Sequence, residues 1–459
     1  MATRVVYGAA AAYAALFLFA AVLHFVTFET ADPDLGHMVQ PIWATLHGHF
    51  LETTTSSGVQ ESRLGSHVDP FLALLVPLYW IWSSPLLLPV FQALAVASGA
   101  LPVYWLGRKH LGSNRAGAHF ALAYLLFPAT QFNAFTPGSS FHSVAIAVPL
   151  VLYAVWFLDE DRLVAFSVVA LLAFSTKEEI PLALGCLGVW YAVRRRRWPL
   201  GLGIFVAGLV VTLFDFLWVI PHFSPTGSDP FVGRYASVGG TPRGMAHKLV
   251  SDPMAFVHAV VTAHKAYYLA LLLAPFLGLW LLEPLLFVGA VPDLAINLLS
   301  SKEDQTRIIF HWTAGIVPFV VAASVLGAAR FRRNTDAVSL CAMVGAAALA
   351  VYSPLWTLKH DIPELGTPVL AAKAHAVGLV PSGAAVSASN KLGGHLAARR
   401  RLYVFPVVRR ARWVVIDIHD PTYANTAGFK RYVRKYEADR AWKIVFSSEG
   451  VTVLHRRSA

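Results

Sequence analysis

The chain has 459 residues, of which 56% are hydrophobic and 14% charged, and its mean hydropathy is +0.56. A soluble domain could not cover so much apolar surface with so few polar side chains, so the composition excludes a soluble globular protein and indicates an integral membrane protein. The formal net charge of +11 does not indicate a nucleic-acid partner, because the basic residues cluster at the ends of apolar runs, as membrane topology favours.

Eleven apolar runs are predicted to cross the bilayer, because a hydrocarbon core of about 30 Å requires roughly 20 apolar residues in a helix. Some runs are short or contain proline, which a spanning helix tolerates where protein or a water-filled cavity satisfies the freed backbone groups. The predicted fold class is an α-helical polytopic membrane protein with the spans 5–27, 84–107, 116–135, 140–158, 163–176, 179–193, 198–220, 267–281, 284–300, 311–329 and 336–353.

The short loops give an orientation, because loops rich in lysine and arginine stay in the cytoplasm. With Arg4 inside, alternate crossings put three strongly basic loops inside: 107–115, 194–197 and 330–333. The same alternation puts the long segments 28–83 and 221–266, and everything after about residue 353, outside. We therefore expect a multi-pass protein of the plasma membrane with a cytoplasmic N-terminus and an external C-terminus.

The composition changes after residue 353, where membrane-length runs stop and short β-type runs begin. Residues 385–389, 402–406 and 413–417 read as strands, and a charged helix is predicted over 426–442. The last two runs, 443–447 and 451–455, are joined by Ser-Glu-Gly and predict a β-hairpin. The expected organisation is a multi-span membrane domain over 1–353 and a small extracytoplasmic α/β domain over 354–459.

The segment after the first span contains two carboxyl groups, Asp32 and Asp34. A carboxylate a few residues beyond a span can accept a proton from a substrate held at the membrane interface. The alternative is that both are solvated loop residues, or that one caps the following helix. His37, His47, His49, His67 and Asp69 follow, but their spacing lacks a tight ligand motif. A divalent metal is thus possible without being indicated, and the cofactor stays unknown.

Further candidates lie where charged or histidine side chains adjoin apolar runs. Lys177, Glu178 and Glu179 are consecutive charges near membrane depth, where ionisable groups usually face a cavity or a partner. The alternative is an ordinary turn between two short helices. Arg307 and His311 could contact a phosphate or belong to a solvated loop, and the same choice between function and structure holds for His142. Asp215, inside an apolar run, should face the bundle interior.

Taken together, these residues resemble a bacterial membrane-protein family, domain of unknown function twenty seventy-nine. The resemblance covers nearly the whole chain, and its most specific part is the stretch 380–390. Two positions depart from the family pattern: Phe310, where a tyrosine is expected, and Glu179, where an aspartate is common. The matching residues are Asp34-Leu-Gly36 with Gln40 and Trp43, His67 with Pro70, Phe141-His142, Lys177-Glu178-Glu179, Phe310–Thr313 with Pro318, Val380–Asn390, and His395-Leu396.

That family looks like a relative of the GT-C glycosyltransferases, multi-span enzymes that take a sugar from a polyprenyl-phosphate donor at the outer face of the membrane. In that superfamily the first outer loop carries an acidic residue near the end of span one, and Asp34 matches that placement. The resemblance implies that Asp34 is the catalytic base. It also implies that the outer basic residues hold the lipid phosphate. The residues predicted to bind the substrate and its lipid phosphate are His67, His142, Lys177, Glu178, Glu179, Arg307 and His311.

Two other functions are compatible with a polytopic chain. A transporter would favour charged residues at mid-membrane and inverted repeats, whereas this sequence shows no repeat and places its candidates outside. A non-catalytic envelope protein would use the outer domain to bind a partner. The sequence leaves the sugar, the acceptor and the oligomeric state open.

Overall fold

The computed structural model describes residues 1–420 and 426–457, so residues 421–425 and 458–459 of the predicted C-terminal domain lie outside the described part. Among the residues that the structure describes, four helices are long and apolar enough to cross a membrane: Ala2–Val26, Leu87–Leu111, Trp198–Phe223 and Thr335–Glu364. A helix pair, Met254–Val260 and Ala263–Phe276, is bent by 60° and would make a fifth span if the two halves cross together. The prediction of a largely helical membrane protein is thus confirmed.

Each of the eleven predicted runs contains at least part of a helix. Several of these helices are too short to cross a bilayer by themselves, such as Leu163–Phe174 and Val317–Ala328. The count of eleven and the orientation therefore stay predictions. The remaining α-helices before residue 400 are His37–Leu46, Phe71–Leu74, Val76–Ile81, Asn114–Leu126, Pro128–Ala134, Ala147–Asp159, Ile180–Arg195, Pro242–Ser251, Pro284–Phe287, Val291–Leu299, Pro368–Gly378 and Asn390–Gly393.

Glycines let two of the helices approach closely. A Cβ atom on Gly188 would lie 2.2 Å from the carbonyl oxygen of Gly201, and one on Gly208 would lie 2.2 Å from that of Pro181. Helices Ile180–Arg195 and Trp198–Phe214 can therefore pack backbone to backbone, as small residues allow in membrane proteins. This packing fixes the turn that precedes Ile180.

The C-terminal part contains a five-stranded sheet. Its strands are β3 (Val386–Ala388), β4 (Leu402–Val404), β5 (Trp413–Asp417), β6 (Trp442–Ser448) and β7 (Val451–Arg456), in the order β4-β3-β5-β7-β6. Strand β3 pairs in parallel with β4 and β5, whereas β7 pairs antiparallel with β5 and β6. The predicted strands and the β6–β7 hairpin are confirmed, and the charged helix covers Thr426–Ala438. Strands β1 (Glu52–Thr54) and β2 (Gln60–Ser62) form a separate antiparallel pair.

The C-terminal sheet packs against segment 28–83. Leu35, Val39 and Ile42 share one apolar core with Val386 and Leu392. Polar contacts add to it: the Gln40 side-chain amide donates to the backbone oxygens of Arg399 (3.1 Å) and Arg400 (2.8 Å). The predicted boundary near residue 354 stays a prediction, because the two parts are joined by this continuous core.

Candidate functional site

The turn that carries both aspartates begins after the first helix. Residues Asp32–Gly36 form one π-helical turn, which runs into helix His37–Leu46. The C-terminal sheet holds the start of this turn, because the Asp32 backbone N–H donates to Asn390 Oδ1 at 3.1 Å. A Cβ atom at Gly36 would lie 2.0 Å from Asp32 Oδ1, so a larger residue there would have to displace the Asp32 carboxyl group.

The two carboxyl groups have different surroundings. Asp32 is 2% exposed, and its Oδ1 has no hydrogen-bond partner among the described residues. Burial, and then the charge of Asp34, raise the pKa of Asp32 to about 7. Asp34 is half-buried and accepts a hydrogen bond from Ser139 Oγ at 2.9 Å. Burial also raises the pKa of Asp34, whereas the Ser139 hydrogen bond and the charges of Lys302 and Arg63 act to lower it.

The predicted triplet of charges forms paired contacts. It occupies the turn between helices Leu163–Phe174 and Ile180–Arg195. Glu178 Oε1 lies 2.9 Å from His67 Nδ1, and its other oxygen accepts from the Val68 backbone N–H at 2.9 Å. Lys177 Nζ lies 2.5 Å from Glu179 Oε1. Although burial acts to raise the pKa of Glu178, the charges of His67 and Lys177 lower it to about 2. The turn therefore stays charged and holds segment 28–83 in place.

Two predicted histidines, His142 and His311, lie against each other with their rings tilted by 31°. The ring centroids of His142 and His311 are 3.5 Å apart, and the His142 backbone N–H donates to Gln92 Oε1 at 2.8 Å. His142 Nε2 and His311 Nδ1 have no hydrogen-bond partner among the residues that the structure describes. Lys177 and His67 interact electrostatically with both rings, so the histidines adjoin the paired turn. Their free nitrogens can bind a polar ligand.

Lys302 and Arg63 are part of this cluster but were not among the predicted site residues. Arg63 forms a buried ion pair with Asp69 at 3.0 Å, and Asp69 also accepts from Ser143 at 2.9 Å. Lys302 interacts electrostatically with Asp34 and with His311, and its Nζ lies 4.8 Å from the Trp312 ring centroid. Residues 301–307 contain four charged side chains, and this clustering next to an apolar run is the signal that could have located Lys302.

Arg307 lies apart from the other predicted residues. Its guanidinium contacts Asp304 at 3.7 Å and lies 5.9 Å from the Phe310 ring centroid, and its side chain is 49% exposed. Two buried carboxyl groups lie closer to the triplet. Asp293 interacts with Glu179 and Lys177, and Asp215 interacts with Glu178. Asp215 is 5% exposed, which confirms that it faces the interior.

The donors of this cluster suit an oxyanion better than a metal. Within residues 1–420 and 426–457, no group of three histidine, cysteine, aspartate or glutamate side chains is arranged to hold a metal ion. The cluster instead combines one accessible carboxylate, two unpartnered imidazoles and several cations. Such a combination can remove a proton from a hydroxyl and stabilise a phosphate.

Comparison with known proteins gives a family and a fold. The family model described as "Predicted membrane protein (DUF2079)" matches residues 24–453. ArnT from Cupriavidus metallidurans, in a crystal structure bound to undecaprenyl phosphate, is similar over 96% of this chain and 97% of its own, with 14% identity and a TM-score of 0.53. The same protein in the apo state matches over 97% and 98%, with 13% identity and a TM-score of 0.53.

A third structure is less similar. The oligosaccharyltransferase of Archaeoglobus fulgidus in the apo form covers 96% of this chain and 74% of its own, with 14% identity and a TM-score of 0.45. Among curated proteins, none matches this chain. The similarity to ArnT over nearly the whole of both chains shows that this chain shares the fold of ArnT.

Proposed function

The chain belongs to the DUF2079 family of predicted membrane proteins, and from this premise we propose that it is a membrane glycosyltransferase. It moves a sugar from a polyprenyl-phosphate donor to an extracytoplasmic acceptor. Two findings support the proposal: the shared fold with ArnT, which was crystallised with undecaprenyl phosphate, and the position of Asp34 beside cations. The position of Asp34 is the main support, because it concerns this chain's own residues.

Asp34 acts as the general base in this proposal. Its carboxylate takes the proton from the acceptor hydroxyl as the oxygen attacks C1 of the sugar. The bond between C1 and the phosphate oxygen breaks, and its electron pair leaves with the lipid phosphate. A carboxyl whose pKa is raised by burial is a stronger base than a solvated one, while the charges of Lys302 and Arg63 act to lower that pKa and so favour the ionised form.

Lys302 binds the phosphate in this proposal. Among the described residues it forms no salt bridge within 4 Å, whereas Lys177 is paired with Glu179. Burial and the neighbouring charge of Arg234 lower the pKa of Lys302, so its ammonium gains stability from an added anion. His142 and His311 supply further polar contacts through their unpartnered nitrogens. Lys177 and Glu179 form an ion pair that has a structural role beside the site, and Glu178 positions His67 through a hydrogen bond.

A transfer assay separates this function from transport and from plain binding. Purified protein receives a polyprenyl-phosphate sugar labelled in the sugar, together with an extract of cell-envelope acceptors. A transferase forms a new glycosidic bond, so the label moves to the acceptor, resists the mild acid that cleaves a glycosyl phosphate, and remains after the lipid is extracted. A transporter would move the donor between leaflets of a vesicle without bond formation, and either that result or simple retention of intact donor would contradict the proposal.

A further inference from the structure

A cavity of about 610 Å³ opens on the C-terminal sheet, at the end opposite to the Asp32 turn. It lies at the N-terminal ends of the parallel strands β3 and β5, whereas Asn390, which bonds the Asp32 turn, follows the C-terminal end of β3. Its side-chain walls are Arg400, Arg401, Arg410, Arg412, Trp413 and His455. This basic cavity is therefore separate from the cluster around Asp34.

The charges in the basic cavity are of one sign. None of the residues that line it is acidic in the described part of the chain. Arg400 is paired, since its Nε lies 2.9 Å from Glu52 Oε1. Across residues 1–420 and 426–457, no carboxylate lies within 4 Å of the Arg401, Arg410 or Arg412 guanidinium groups as an ion pair. Like charges that share a cleft repel one another and attract an anion from solution.

The volume and the lining residues of the basic cavity favour a ligand in which an anionic group is attached to a sugar ring. The volume lies in the range of small-molecule pockets, about 300–1,000 Å³. The rings of Trp413 and His455 lie 4.4 Å apart between centroids and form an aromatic wall beside the arginines. The C–H groups of a pyranose ring carry partial positive charge and pack on the negative face of an indole. Guanidinium groups in turn bind carboxylate and phosphate through paired N–H donors.

We propose that the basic cavity is a binding site for an anionic glycan, held through phosphate or carboxylate groups by Arg401, Arg410 and Arg412 and through a sugar ring by Trp413. The backbone links this cavity to the Asp32 turn, because the stretch 380–390 lines the cavity at Pro381–Ala385 and reaches the turn at Asn390. The proposal does not require transferase activity, because binding is measured without turnover.

Binding by the full-length protein in nonionic detergent tests the proposal. The probes are inorganic triphosphate and a trimer of galacturonic acid. Isothermal titration calorimetry measures the affinity of the protein for each probe. We expect both to bind, and the Arg410→Ala/Arg412→Ala variant to lose about tenfold or more in affinity, since a hydrogen bond to a charged group contributes about 1.5–3 kcal/mol. Trp413→Ala should weaken binding of the galacturonate trimer and leave triphosphate binding unchanged.

Two controls complete the test: a variant that loses two arginines outside the cavity, and a comparison of probe binding in anionic and zwitterionic nanodiscs. Arg431→Ala/Arg434→Ala removes two exposed arginines from helix Thr426–Ala438, outside the cavity, and should bind like the wild type. Equal losses in both double variants, or no binding of either probe, would overturn the site. If nanodiscs with phosphatidylglycerol abolished probe binding while zwitterionic nanodiscs did not, the cavity would hold lipid headgroups, and the assignment to a glycan would be wrong.

Discussion

At the scale of single residues, two neighbouring aspartates differ because of what packs on them. The side chain of Asp32 lies against Gly393, where a Cβ atom would come within 2.5 Å of Asp32 Cβ. Asp34 instead accepts a hydrogen bond from Ser139 and interacts electrostatically with Lys302 and Arg63. Burial thus favours the protonated form of Asp32, whereas Asp34 is the more exposed of the two carboxyl groups. The residues alone placed both in one segment, and only the family resemblance singled out Asp34. The contacts that distinguish the two carboxyl groups come from Ser139 and Gly393, which lie far along the chain.

The raised pKa of Asp32 predicts a pH-dependent stability. Its folded pKa of about 7 exceeds the ordinary value of 3.8, so the stabilising contribution is present below about pH 4 and is lost as pH rises to about 7. Asp32→Asn cannot ionise, and its melting temperature in detergent should exceed that of the wild type increasingly over this range. Asp304→Asn, an exposed control, should follow the wild type. A wild-type profile without this loss would contradict the burial of an ionisable Asp32.

Lys302 offers a test of donor binding. If its ammonium meets the lipid phosphate, Lys302→Ala should raise the Kd for a polyprenyl phosphate by about tenfold or more. Lys248→Ala removes an exposed lysine that pairs with Asp252 and should leave the Kd unchanged. Equal affinities of the wild type and Lys302→Ala in a fluorescence-quenching titration would exclude this role.

At the scale of elements, the turn that carries Lys177 depends on the helix that follows it. Helix Ile180–Arg195 is held against Trp198–Phe214 by direct backbone contact at Gly188 and Gly201. A larger residue at Gly188 must push the helices apart. This movement would be transmitted to the Glu178–His67 contact, since Glu178 is two residues before the helix.

Gly188→Leu should therefore destabilise the protein by about 1–3 kcal/mol or more, the usual cost of overpacking. Gly203 provides a matched control in the same pair of helices, because nothing lies within 4 Å of a Cβ atom there. Gly203→Leu should keep the wild-type melting temperature in detergent. If both variants melted alike, the close approach of the helices would not contribute to stability.

Local patterns predicted most of the elements but few of the contacts between them. Hydrophobic runs located the helices, and the Ser-Glu-Gly turn located the β6–β7 hairpin, because both depend on neighbouring residues. The contact of His142 with His311 and the role of Lys302 join segments that are far apart in the chain. Such contacts depend on how the helices pack, which one sequence does not specify.

At the scale of the whole molecule, the C-terminal sheet and segment 28–83 form one unit. His395 stacks on both Phe25 and Phe28, with centroids 3.9 Å apart in each case, and Lys391 pairs with Glu29 at 2.6 Å. The sheet thus helps to position the Asp34 turn. This unit must lie on one side of the membrane. If the C-terminus is external, as predicted, the site around Asp34 is therefore external as well.

Cysteine labelling tests that topology. In a background with Cys186 and Cys341 replaced by alanine, a membrane-impermeant maleimide added to intact cells should modify Ser448→Cys and spare Arg115→Cys. Both positions are exposed, so access to the reagent depends on the side of the membrane. Permeabilised cells serve as the control and should show labelling at both. Labelling in the reverse sense would place Asp34 on the cytoplasmic side.

The central claim is that Asp34 is the base of a sugar transfer from a polyprenyl-phosphate donor. The most direct measurement is the transfer rate of the purified wild type, Asp34→Asn and Asp32→Asn with a labelled donor, alongside the donor Kd of each. Loss of a general base typically lowers the rate about 10²–10⁴-fold, so Asp34→Asn should lose this much activity with a nearly unchanged Kd. Asp32→Asn should retain most of its rate. Full activity of Asp34→Asn in an active preparation would contradict the account.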